Sequence, residues 1–219
     1  MISSSMDALE KGPRTTLDAT RRMLIRTKDP HFICPLLTMK TRLKGSDYRG
    51  PRVTRGVPLE YRERVIQGIL VELAEAYPGP FLDIVEQEAH PLRWAAIHVL
   101  AEARLDGLFD FLKRQILERP GQHKVLLLNA MANQDHPERI AFLGQLLRDH
   151  DEAVVSQVIF ILREAQDPRA LPYVRRAIRD LGGDPRMIRR MLLRLERELD
   201  SLIRTKARPH VRPVDGPGQ

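Results

Sequence analysis

The chain has 219 residues, 42% of them apolar but only 5% aromatic, and it carries a formal net charge of +7 with a single cysteine. This fits a soluble globular chain with one sizeable core. No apolar run approaches the roughly 18 residues of a membrane span, and MISSSMDALEKG lacks the basic, apolar and small-residue succession of a secretory signal. A cytoplasmic protein without a membrane partner is therefore expected, with Cys34 a buried thiol in a reducing compartment.

Residues 1–13 are rich in Ser and charge and show no period, which predicts a flexible N-terminal arm. Thr16–Thr27 and Pro30–Leu43 then read as two amphipathic helices joined by Lys28-Asp29-Pro30, where Asp can accept from unpaired N–H groups and Pro fits a first helical position. Leu24, Ile33 and Leu36 fall on apolar rows that recur downstream, but Arg21 occupies a row held elsewhere by Ile. One side of a first unit must face water, so an atypical terminal cap is expected. Residues 44–58, KGSDYRGPRVTRGVP, have no helical period and two Gly-containing turns, and so predict a loop. Lys44, Arg49, Arg52 and Arg55 against Asp47 make it basic. A solvated insertion is preferred over an arm that lays its arginines and Tyr48 on a nucleic acid or an acidic partner.

Four further helix pairs follow: Leu59–Tyr77 with Pro80–Ala89, Pro91–Ala103 with Asp106–Glu118, Gln122–Asn133 with Pro137–Asp149, and one within Asp151–Asp180. In the last, Val154, Val155, Val158, Ile159 and Leu162 recur at three- and four-residue steps, as do Ala170, Leu171, Val174, Ala177 and Ile178 after the turn Gln166-Asp167-Pro168. The pairs are copies of one another. Leu162, Met131, Leu100 and Leu73 lie 31, 31 and 27 residues apart. The same offsets hold for Ile159, Leu128, Ile97 and Leu70, for Leu171, Ile140, Phe109 and Leu82, and for Val174, Leu143, Leu112 and Val85. The shorter third offset predicts that the connection before His90-Pro91 has lost about one helical turn. A lone pair cannot hide two apolar faces, so neighbours must stack on both sides.

The start Asp151-x-x-Val154-Val155, the ending Leu162-x-x-Ala165 and the closing Leu171-x-x-Val174-x-x-x-Ile178-x-Asp180 resemble the HEAT-repeat family. The likeness is narrower to its short bacterial variety, named after phycobilisome lyases, and covers roughly residues 59–204. It implies an all-α fold, an α-solenoid of about eleven helices over 14–204, with second helices lining a concave surface that grips a partner. It carries no catalytic residues, because the family's shared positions are packing positions. Lyase activity on a bilin does not follow.

The last helix, Asp184 to about Thr205, gathers Met187, Ile188, Met191, Leu192, Leu195, Leu199 and Leu202 on one side at about 100° per residue. Arg186, Arg190, Arg197 and Arg204 gather on the other, flanked by Arg189 and Arg194. A C-terminal cap is favoured over a basic helix for a membrane surface or nucleic acid, since Glu196, Glu198 and Asp200 dilute the charge. The tail, 205–219, is expected to be disordered. Charge is uneven along the chain: residues 1–64 hold 14 basic against 7 acidic residues, 65–166 hold 9 against 15, and 167–219 hold 13 against 7. Basic ends around an acidic middle argue against a continuous nucleic-acid track. They suit a protein partner with complementary patches, or contacts between copies of the chain.

Signals for chemistry are weak. Asp135-His136 and Asp149-His150-Asp151 resemble metal-ligand pairs but sit in turns, where capping is the ordinary role. His98 lies mid-helix and reads as satisfied or half-buried. HEAT-like folds include DNA glycosylases with aromatic, acid-bearing clefts; Phe111, Phe142 and Tyr173 lack recurring carboxylates beyond Asp110, and Trp94 reads as core packing. No enzyme activity, cofactor or metal is expected. The sequence thus predicts a non-enzymatic scaffold or adaptor for a protein with an acidic surface, with Lys113, Arg114, Arg175, Arg176 and Arg179 on the polar face of second helices. In that reading they form two rows along a groove floor, and Gly144 leaves room for close approach; a merely solvated face fits the same pattern. Secondary candidates are Tyr48, Arg49, Arg52, Arg55, Arg186, Arg190 and Arg197. The alternative function is a nucleic-acid-binding module using the basic ends and the loop 44–58.

Overall fold

The structure, a computed structural model, describes residues 2–44, 53–54, 56–181 and 186–207. Among these are twelve α-helices and two 3-10 turns: α1 (Ile2–Lys11), α2 (Arg14–Thr27), α3 (Ile33–Lys44), α4 (Leu59–Ala76), α5 (Pro78–Glu86), α6 (Arg93–Leu100), α7 (Leu108–Glu118), α8 (Gly121–Ala132), α9 (Arg139–Leu146), α10 (Glu152–Ala165), α11 (Leu171–Asp180) and α12 (Arg186–Ala207). The 3-10 turns, Pro30–Phe32 and Pro168–Ala170, lead into α3 and α11. Val53–Thr54 (β1) and Val57–Pro58 (β2) form a two-residue antiparallel ladder within the stretch expected to be all loop. The chain divides into two units, Met1–Arg119 with Asn129–Gln134, and Pro120–Leu128 with Asp135–Gln219, so α8 contributes residues to each.

The two turns matched by sequence are built alike. Lys28 and Gln166 end their helices at φ 47° in the left-handed region, and Asp29 and Asp167 each accept from the backbone N–H two residues on, both at 2.9 Å. The first rows of the repeat are interior: Leu70, Ile97, Leu128 and Ile159, and Leu73, Leu100, Met131 and Leu162, are all buried. So are Val85, Leu112, Leu143 and Val174. In the remaining row Leu82 is only half-buried, while Phe81 beside it is fully enclosed. Positions three and four before Val85 share its face, and the larger ring takes the interior place.

In unit 1 the long helix α4 packs against α1, α2, α3, α5 and α6. The N-terminal segment is not an arm. It is helix α1, packed on α2 and α4 with Leu9 fully buried. Gly12 closes it, donating to Ala8 O at 2.9 Å, and a Cβ there would fall 2.4 Å from that oxygen. The carbonyls that a helix end leaves unpaired are answered by the buried Arg62 of α4, whose Nη1 and Nη2 donate to Leu9 O at 3.0 Å and Gly12 O at 2.7 Å. A contact fifty or more residues away cannot leave a local period, so the order of residues alone did not show this helix.

The missing turn of the repeat also lies elsewhere than expected. The connection Gln87–Leu92 keeps six residues; the shortening is in the helices, since α5 ends one residue after Val85 and α6 begins four before Ile97. Arginines cover the truncated end of α5: Arg93 Nε donates to Val85 O at 2.9 Å and Arg119 Nη2 to Glu86 O at 2.6 Å. Cations at a helix C-terminus also complement its dipole. Two further expectations for this unit are corrected. Cys34 is exposed, because its face of α3 is turned from the Ile33, Leu36 and Leu37 core, and Trp94 is 38% exposed on α6 with its ring tilted against His98 at 4.3 Å.

In unit 2, α12 packs on both α10 and α11, and α9 packs on α10 and α11. Ile188, Leu192, Leu195 and Leu199 of α12 are buried as its apolar stripe predicts, whereas Met187, in its first turn, is 56% exposed. Gly144 on α9 is buried beneath Tyr173 of α11; a Cβ at Gly144 would lie 2.3 Å from the ring's Cγ. It therefore opens no space in a groove. The small residue admits a neighbouring helix instead of a partner.

Candidate binding surfaces

The sequence-predicted site residues fall in both units and have different fates. In unit 1 Arg114 is exposed on α7 but pairs with Glu86 at 3.3 Å and stacks 5.6 Å from the Phe111 ring. Lys113 Nζ lies 5.9 Å from the Phe109 ring. Arg114 belongs to the arginine-rich surroundings of the α5 terminus, where Arg119 also meets Glu88 at 3.4 Å.

In unit 2 Arg175 is taken by α12, donating to Glu196 at 2.9 Å and Asp200 at 3.1 Å. Two of the three acidic residues that dilute the charge of the terminal helix, Glu196 and Asp200, are thus partners of α11. Within unit 2, Gly144 is covered and Arg175 engaged, so neither is an open position of the first expected row. Arg176 and Arg179 remain exposed on α11, with no hydrogen bond or ion pair among the described residues. Tyr48, Arg49, Arg52 and Arg55 lie outside the described residues. Arg186 opens α12, Arg190 is exposed, and exposed Arg197 donates to Leu193 O at 3.2 Å.

A surface absent from the sequence reading lies where α10 meets α12. Arg163, Gln166, Arg194, Arg197, Glu198 and Ser201, with Leu195, Leu199 and Leu202, line a cleft of about 540 Å³. Arg194 pairs with Glu198 at 2.9 Å, and the Arg163 guanidinium lies 5.5 Å from the half-exposed Phe160 ring. Leu195 and Leu199 are buried against their own neighbours, so what the cleft presents is chiefly its arginines, whose planar forks suit carboxylates. The signal was present as Arg163 and Arg197 on separate helices, but only packing brings them together.

The turn residues do structural work. Asp151 caps α10 by accepting from Ala153 N at 2.8 Å; Asp149 accepts from Asp151 N at 3.0 Å and from Lys124 Nζ at 2.6 Å. Burial works to raise the Asp149 carboxyl, but the Lys124 hydrogen bond, the Asp151 N–H and nearby positive charge together hold it below the usual range. His136 accepts from Glu138 N at 3.3 Å.

A buried cation in unit 1 has no precedent in the sequence reading. Lys40 of α3 is 4% exposed and donates to Gln67 Oε1, while Gln67 Nε2 donates to His98 O at 3.4 Å. Burial first, then the Lys44 charge, pushes Lys40 down to about 8, with Glu102 and Glu63 opposing. His98 is lowered likewise, by burial and then by Lys40 and Lys44. Unfolded lysine titrates near 10.4, so between about pH 8 and 10 the unfolded state binds the extra proton and stability rises with pH. Lys40→Met should remove that rise. Urea midpoints at pH 7 and pH 10 should differ by less in the variant than in the wild type, and equal differences would show that Lys40 is not the titrating group.

No family model and no curated protein matches this chain. Among the described residues no helix is long and apolar enough to cross a membrane.

Proposed function

We propose that this chain is a non-enzymatic binding protein, a HEAT-like α-solenoid of helix pairs that acts in the cytoplasm as a scaffold for a protein with an acidic surface. The observation that carries the reading is the α10–α12 cleft of unit 2, lined by Arg163, Arg194 and Arg197. Arg176 and Arg179 on α11 add cations that no carboxylate answers among the described residues. Exposed charges of this kind steer encounter and set specificity more than they set affinity. The contact residues in this reading are Arg163, Arg197, Arg176 and Arg179, with Arg175 holding α12 in place.

The partner is to be isolated by co-purification from the native host and identified by mass spectrometry. Arg163→Glu/Arg197→Glu and Arg176→Glu/Arg179→Glu should each weaken its binding at least tenfold, about 1.4 kcal/mol. Thermal stability should change little, since these side chains are at the surface. Unchanged affinity in both variants would remove unit 2 as the binding face. A co-purified component whose 260 to 280 nm absorbance ratio falls on nuclease treatment would replace the protein partner by a nucleic acid.

A further inference from the structure

On α2 of unit 1, Arg14, Asp18, Arg21, Arg22, Ile25 and Arg26 recur at three- and four-residue steps, the spacing at which a helix ordinarily presents one continuous face. Asp18, Arg21, Arg22, Ile25 and Arg26 line a cleft of about 500 Å³ together with Tyr61 of α4. Asp18 is placed to neutralise Arg21 or Arg22, being three and four residues before them. It is used otherwise, accepting from the Tyr61 hydroxyl at 2.8 Å, while Arg14 lies 4.7 Å from the Tyr61 ring centre. Arg21, Arg22 and Arg26 are exposed and make no hydrogen bond or ion pair among the described residues.

We propose that this α2–α4 cleft binds a small ligand carrying consecutive phosphates, such as a nucleoside triphosphate or an inorganic oligophosphate. It is a site separate from the acidic-protein surface of unit 2. Charge density decides between anion classes. Three guanidinium groups issue from about 7.5 Å of helix axis. An extended acidic peptide presents same-face carboxylates only about every 6.6 Å, so it answers one or two of them. Consecutive phosphates concentrate more charge over the same length and offer each planar guanidinium fork two oxygens. A cleft of about 500 Å³ is large enough to seat such a ligand, and the strand alternative is separated from it by the comparators below. Gly68 of α4 faces the same place: a Cβ there would lie 3.9 Å from Arg21 Nη2 and meets no other atom within 4 Å.

The test is calorimetric titration of the full chain with sodium tripolyphosphate at low salt, with a 12-residue oligothymidylate and a 12-residue polyglutamate as comparators. The wild type should bind tripolyphosphate at one site. Arg21→Gln/Arg22→Gln/Arg26→Gln should weaken that binding at least tenfold, and so should Gly68→Glu, which sets a carboxylate against Arg21 and replaces a helix-disfavoured residue by a favoured one. Arg176→Gln/Arg179→Gln, which lowers net charge on unit 2, should leave it unchanged. No binding at millimolar tripolyphosphate, or equal loss in the unit 2 variant, overturns the site. Polyglutamate binding as tightly makes it a carboxylate surface, and oligothymidylate binding more than tenfold tighter makes it a strand track; either result overturns the proposal.

Discussion

Leu162→Ala is expected to lower the stability of unit 2 by about 2 to 5 kcal/mol, because it deletes buried methyl groups and leaves a cavity that the surrounding helices only partly close. Leu162 is fully enclosed on α10, on the face that also buries Val154, Val155, Val158 and Ile159, and α10 packs against both α9 and α12. A loss between two neighbours leaves little freedom for collapse, which places the cost toward the upper part of that range. Denaturant unfolding followed by circular dichroism measures it. A change below about 0.5 kcal/mol would mean that the site is not close-packed.

Arg62→Met should be comparably damaging in unit 1, on the order of 3 kcal/mol, for a different reason. The substitution keeps an apolar stem but removes two hydrogen bonds from a buried guanidinium to the C-terminal carbonyls of α1. Buried polar groups left unpaired cost about 1 to 3 kcal/mol each, and two carbonyls are affected. The loss is limited by the free energy of docking α1, since the helix can detach once its carbonyls need water. Hydrogen exchange distinguishes the outcomes: amides of Ile2–Lys11 should lose protection in the variant while those of α4 keep theirs. Retained protection in α1 would show that Leu9 alone holds it.

Much of the helical content was written in local pattern. Apolar residues at three- and four-residue steps, with Asp-Pro pairs at the turns before α3 and α11, fixed the helices α2 to α12, because amphipathic periodicity and capping act within a few residues. The turns at Lys28 and Gln166 came out alike down to their left-handed φ. Burial of the repeat rows follows from the same physics, apart from Leu82, where two positions on one face competed and the phenylalanine won.

The amino-acid sequence by itself determined which segments after α1 are helical, which of their faces are apolar and where arginines are plentiful. Only the tertiary structure decided which arginines are available. Arg62, Arg93 and Arg119 finish helix ends, Arg114 and Arg175 meet carboxylates on neighbouring helices, and Arg176, Arg179, Arg21, Arg22 and Arg26 do none of these things among the described residues. It likewise decided that Gly144 admits Tyr173 and that Ile2–Lys11 is a packed helix. The physical reason is range. Periodicity and caps are short-range and leave a mark in the order of residues, whereas a guanidinium reaches partners tens of residues away in sequence, and its partner is known only once the helices are packed.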